Sequence, residues 1–116
     1  MRLGICLPSR GLIHSRTIES VEKNLEDLYS QWEVRKFFSH DLPIPNAQNN
    51  LVERAYEWGA NWFWMVEEDN LIGDNILAKM LDHVDHEIIA ADYPVGEKNY
   101  TSIDIPDDSG DFYFEV

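Results

Sequence analysis

The feature that most constrains this chain is the way its hydrophobic period alternates between strand-like runs and helix-like spacing. Residues 3–7 are a short apolar run closed by Pro8, the pattern of a buried strand. After Gly11, apolar residues recur at Ile18, Val21, Leu25 and Leu28, one face of an amphipathic helix that Ser15 or Thr17 can cap. Residues 34–38 are a second strand. Pro43-Ile44-Pro45 then breaks the chain before a second helix expected over residues 46–58, with Asn46 as N-cap and Gly59 as its C-terminal stop. Residues 62–66, Trp-Phe-Trp-Met-Val, form the strongest strand signal. From Asp74 a third helix is expected, carrying Leu77, Met80, Leu81 and Val84 on one face, and residues 87–91 supply a fourth strand closed by Asp92-Tyr93-Pro94.

This β-α-β-α-β-α-β alternation predicts an α/β fold: a Rossmann-like, mainly parallel sheet with helices on both faces. Beyond Pro94 the pattern changes. Asp107-Asp108-Ser109-Gly110 is a turn signal, and residues 111–116 alternate like one more strand, half of a hairpin. The expected organisation is one domain, with residues 1–95 as its α/β body and 96–116 as an extended tail or partial hairpin.

Charge narrows the partners. Twenty-two acidic residues against nine Lys plus Arg give a formal net charge of −13, which repels phosphate backbones and anionic membranes, so neither nonspecific nucleic-acid binding nor membrane binding is expected. An anionic ligand would need a local positive element or a bridging cation. Cys6 is alone in an apolar run and reads as a small buried hydrophobe, with no disulfide or zinc framework to join. No signal peptide and no long apolar span is evident, which sets the expectation of a cytoplasmic protein.

In open parallel sheets, ligands bind beyond the carboxyl ends of the strands. The first strand delivers Pro8-Ser9-Arg10-Gly11 there, the third delivers Glu67-Glu68-Asp69-Asn70, and the fourth delivers Asp92-Tyr93. The second helix opens on Asn46-Ala47-Gln48-Asn49, whose backbone N–H groups can face an anion. The acidic triplet is the sharpest feature. Alternation puts Glu67 and Asp69 on one side, and two adjacent carboxylates suit a divalent cation such as Mn²⁺ or Mg²⁺ that keeps positions open for substrate phosphates. Arg10 can pair with a phosphate. The histidines (His14, His40, His83 and His86) offer no compact ligand pattern with the acids; His83 and His86 fall near the third helix's C-terminus, where they complement its dipole. The same residues also fit a bland account: a solvated acidic loop, a surface arginine and a polar helix start.

The strand ending in Pro8-Ser9-Arg10-Gly11, the segment Ile44-Pro45-Asn46-Ala47-Gln48-Asn49-Asn50-Leu51-Val52, the aromatic strand into Val66-Glu67-Glu68-Asp69, and Ile88-Ile89-Ala90-Ala91-Asp92-Tyr93-Pro94 follow in order. Over roughly residues 1–95 this order resembles the family-2-like glycosyltransferases of GT-A type, the nucleotide-diphospho-sugar transferases. The resemblance implies a nucleotide-sugar-binding α/β domain whose Asp-x-Asp position falls on Glu67 and Asp69. Asp69 would coordinate the metal on the donor diphosphate, Glu67 would lie near the ribose or the metal's water shell, and Pro8, Ser9 and Arg10 would line the nucleotide pocket. Gln48 and Asn49 fall where the family has Ala-Arg-Asn, so a positive charge is lost; Glu67 replaces the usual aspartate.

Family members continue into an acceptor-binding half that supplies the catalytic base. The expectation here is a truncated chain or a minimal remnant, with Asp92 the one remaining acid at a strand end that could serve as base. An aromatic surface left by the missing half would drive self-association. Two functions follow: a glycosyltransferase or its donor-binding half, transferring sugar to an unknown acceptor, or a noncatalytic α/β interaction module with an acidic cation-binding loop. A nucleotidyltransferase would need a glycine-rich basic loop that Pro8 to Gly11 does not match.

Overall fold

The computed structural model describes residues 1–40 and 43–91, together with the backbone of residues 94–95 and 100–101. Contacts divide the chain into two units, Met1–Asp74 and Asn75–Val116. The first unit is a parallel three-stranded sheet of order β2-β1-β3, with β1 at Arg2–Pro8, β2 at Glu33–Ser39 and β3 at Trp62–Met65. Helices α1 (Ser15–Leu25) and α2 (Ile44–Trp58) connect them.

Position in the sheet follows from composition. Residues 3 to 8 of β1 are all buried, as a central parallel strand covered on both faces requires. Register sets Cys6 between Phe37 of β2 and Met65 of β3, and Ile5 between Lys36 and Trp64. Because successive side chains alternate, Gly4, Cys6 and Phe37 share one face. There Cys6, Phe37, Leu51 and Ala55 form a buried cluster with Trp58 and Ala60 against it, so α2 lies on this face. Lys36 points to the other face and pairs with Glu22 of α1. The helices therefore cover opposite faces.

Gly4 sets how closely α2 approaches. A Cβ on Gly4 would stand 3.1 Å from the Ala55 Cβ and 3.6 Å from Phe37. Ala55 and Gly4 meet because neither carries more than a methyl group. The helix starts earlier than the expected Asn46: Pro43 is the N-cap residue without a side-chain cap bond, and Pro45 occupies the first turn, where a missing N–H costs nothing. Its C-terminal stop is the expected one. Gly59 adopts φ 91°, and its N–H and that of Ala60 close on Tyr56 and Ala55 carbonyls.

Arg2 fastens this end of the sheet. Its Nη1 donates to the Trp58 carbonyl at 2.7 Å, its Nε to Glu33 at 2.9 Å, and its guanidinium lies 5.3 Å from the Trp58 ring centroid. The start of β1, the start of β2 and the end of α2 thus meet on one side chain.

Several expectations are corrected. The cap of α1 is His14, whose Nδ1 accepts from the Arg16 N–H at 3.1 Å, rather than Ser15 or Thr17. Leu28 is buried but lies in the turn beyond the helix. In the second unit, α3 is shorter than expected, Ile76–Leu81, and leaves Val84 in the following turn. Residues 87–91 do not form the fourth strand. They run as bend and open chain to a single bridge residue at Ala91, with Ile88 86% exposed; an apolar run becomes a strand only when a neighbour takes its backbone groups. Strands β4 (Pro94–Val95) and β5 (Tyr100–Thr101) pair antiparallel. The expected turn at 107–110 and strand at 111–116 lie outside the described residues.

Two tests follow. Gly4→Ala should lower stability by about 1–3 kcal/mol through overpacking, and Leu51→Ala by about 2–5 kcal/mol through the cavity it leaves. Both are read as shifted urea midpoints, and an unmoved midpoint for Gly4→Ala would mean that α2 packs less closely than described. Burial pushes the Cys6 thiol up to about 11 against the opposing charge of Arg54. At pH 8 the folded protein should resist a thiol reagent, and labelling should appear only with unfolding; rapid labelling of the native state would contradict the buried placement.

Candidate functional site

In sheet order β2-β1-β3 the chain leaves β1 to one side and returns on the other. The crevice between the carboxyl ends of β1 and β3 is therefore a topological switch point, the place where such sheets bind ligands. Arg10 and the acidic triplet meet there, but not as separate ligand groups.

Glu68 clasps the β1–α1 loop at three points. One carboxylate oxygen accepts from the Arg10 backbone N–H at 2.7 Å; the other accepts from Arg10 Nε at 2.8 Å and Nη2 at 2.7 Å. The Glu68 carbonyl accepts from the His14 N–H at 2.9 Å. Its side chain is 16% exposed, whereas that of Arg10 is 70% exposed. The Arg10 backbone N–H, and then its guanidinium, hold the Glu68 carboxyl below the usual carboxylate range. The guanidinium is raised in turn, first by its bond to Glu68, then by that carboxylate's charge, with a smaller part from Asp69.

The flanking acids behave differently. Glu67 and Asp69 are both exposed, in the open chain and turn that follow β3, while Glu68 turns inward. Among the described residues neither carboxylate takes part in a hydrogen bond or ion pair. As exposed carboxylate oxygens they suit a hard divalent cation that keeps several waters and takes substrate phosphates as further ligands. The rest of the loop is fixed to α1. The Ile72 N–H donates to Ser20 Oγ at 3.1 Å, Asn24 Nδ2 donates to the Gly73 carbonyl at 3.0 Å, and Lys23 pairs with Asp74 at 3.1 Å.

The remaining expected site residues divide clearly. Pro8 and Ser9 are buried. Ser9 Oγ sits 2.7 Å from His40 Nδ1 and accepts from the Gly11 N–H at 3.2 Å, so it shapes the loop and ties the ends of β1 and β2 together. Gln48 is half-buried and Asn49 exposed in the first turns of α2, which follows β2 at the same edge of the sheet. Asp92 lies outside the described residues.

The histidines depart from expectation. His83, Asp85 and His86 each bring one ligand atom to within 4.8 Å of the others, the sole such grouping of three or more His, Cys, Asp or Glu among the described residues. The i, i+3 spacing of the two histidines was a readable signal, but only the turn after α3 makes it compact. No described helix is long and apolar enough to cross a membrane. Comparison of the sequence with protein-family models, with curated proteins and with solved structures gives no match.

Because the Glu68 carboxyl is held low by folding, the clasp stabilises above the unfolded carboxylate value of about 4.3. That contribution is lost as pH falls through the lower folded value. Glu68→Gln should thus be less stable than the parent chain at pH 7, and the gap between their urea midpoints should shrink towards pH 3. A gap that stays constant with pH would show that the carboxylate's charge plays no part.

Proposed function

We propose that this chain is a nucleotide-diphosphate-sugar-binding domain of the glycosyltransferase kind, holding its donor through a Mn²⁺ or Mg²⁺ ion at Glu67 and Asp69. The observation that supports it is the meeting of the β1 loop and the acidic triplet at the β1–β3 switch point, with two unclaimed carboxylates facing outward. Glu68 spends its own charge on positioning: it fixes the backbone of residues 10–14 and leaves its neighbours to face a ligand. Asp69 is the principal ligand and Glu67 the second; Gln48 and Asn49 contact the donor from α2. A bound cation would stabilise the charge that develops on a departing diphosphate. In a chain of net charge −13 that cation is also what lets an anionic donor approach.

The Arg10–Glu68 clasp favours a second reading. It commits the exposed guanidinium at this edge to an internal partner, as a noncatalytic module with an acidic cation-binding loop would.

Calorimetric titration with UDP and GDP, each with and without Mn²⁺, separates the two. The donor reading expects metal-dependent binding of at least one nucleotide, weakened more than about tenfold by Asp69→Ala, about 1.4 kcal/mol or more. Equal binding by Asp69→Ala would remove the triplet from the site. Cation binding with no nucleotide binding would favour the noncatalytic module.

A further inference from the structure

We propose that His83, Asp85 and His86 form a second, independent site, for one divalent transition-metal ion of the zinc type. The site does not depend on the donor reading, because its residues and its ligand chemistry are different. Both backbone and side chains prepare it. Behind α3, the His83 N–H donates to the Met80 carbonyl at 3.0 Å and the His86 N–H to the His83 carbonyl at 3.0 Å. These two tight turns bring residue 86 back beside residue 83. The imidazoles face each other with centroids 6.3 Å apart at an interplanar angle of 39°, and Asp85 Oδ2 lies 3.8 Å from His86 Nε2.

One ligand atom from each residue lies within 4.8 Å of the other two. A tetrahedral zinc ion with bonds of about 2.0–2.1 Å needs its ligand atoms about 3.4 Å apart. The difference is within reach of side-chain rotation, since Asp85 is 79% and His86 32% exposed in their side chains. Two imidazoles and one carboxylate select zinc, cobalt or nickel over magnesium or calcium, which want oxygen donors throughout. Water completes the coordination.

The site also has a structural task. Helix α3 has only 6 residues, and its N-cap residue Asn75 sits at φ 63° with no side-chain cap bond. A helix that short does not hold itself. An ion joining residues 83, 85 and 86 would brace the turn that closes it.

Titration of the whole chain with Zn²⁺, in excess Mg²⁺ to occupy the carboxylates of Glu67 and Asp69, should show one tightly bound zinc ion per chain. The double variant His83→Ala/His86→Ala should bind at least about tenfold more weakly, the lower end of what losing a mere outer-shell partner costs. His14→Ala/His40→Ala should bind as the parent does. Circular dichroism checks that the variants fold. Should the double variant fail to fold, nitrogen-15 spectra of the parent decide: Zn²⁺ should shift the imidazole signals of His83 and His86, and slow amide exchange through residues 77–86. Absence of Zn²⁺ binding, undiminished binding by the folded double variant, or shifts at His14 and His40 instead would overturn the proposal.

Discussion

A strand that is apolar on both faces survives only if both faces and both hydrogen-bonding edges are covered, and β1 places that demand on the whole first unit. Its neighbours β2 and β3 take the backbone groups, while α2 closes on the Gly4 and Cys6 face and α1 lies across the other. Each end of the strand is then tied off by an arginine. Arg2 gathers the end of α2 and the start of β2, and Arg10, two residues past the strand, takes Glu68. The two differ in kind. Arg2 spreads its contacts over Glu33, a backbone carbonyl and an aromatic face, whereas Arg10 gives both its backbone N–H and its guanidinium to one carboxylate.

That difference shapes the candidate site. Exposed ion pairs contribute little, but Arg10–Glu68 adds a backbone N–H to the same carboxylate and so fixes a loop as well as a side chain. The middle acid of the triplet is structural, and by turning inward it orients the outer two. The triplet lies just beyond β3, and there the middle carboxylate holds the scaffold while the outer two face the solvent.

Much of this was legible in the residues. The three strands, the two long helices and the Gly59 stop follow from period and punctuation: apolar runs and helical spacing mark the segments that bury a face, and Gly59 supplies the left-handed stop. What failed depended on distant partners. Residues 87–91 have strand composition yet no ladder, and no local pattern reveals whether a neighbour will be there. The start of α2 moved because Pro45 fits a first turn as readily as it breaks a chain. At the site, Glu67 and Asp69 do lie exposed on either side of Glu68, but in open chain and turn rather than in a strand, and the partner of Glu68 lies 58 residues away, where no spacing rule reaches. The grouping of His83, Asp85 and His86 shows in the sequence only as an i, i+3 spacing, because it becomes compact in a tight turn, where helix and strand periods both lapse.

The central place of β1 bears on the order in which the fold can assemble. Arg2 alone bonds residues 31 and 59 positions further along. On the ribosome β1, the most fully buried of the three strands, emerges ahead of both partners, and the second of them, β3, is made only after β2 and α2. Through that interval Leu3, Ile5 and Leu7 lack their final cover, and pairing must close long loops before it is rewarded. The strand that organises the finished sheet is thus also the segment most exposed to wrong partners during synthesis, a period in which a holding chaperone would have most to do.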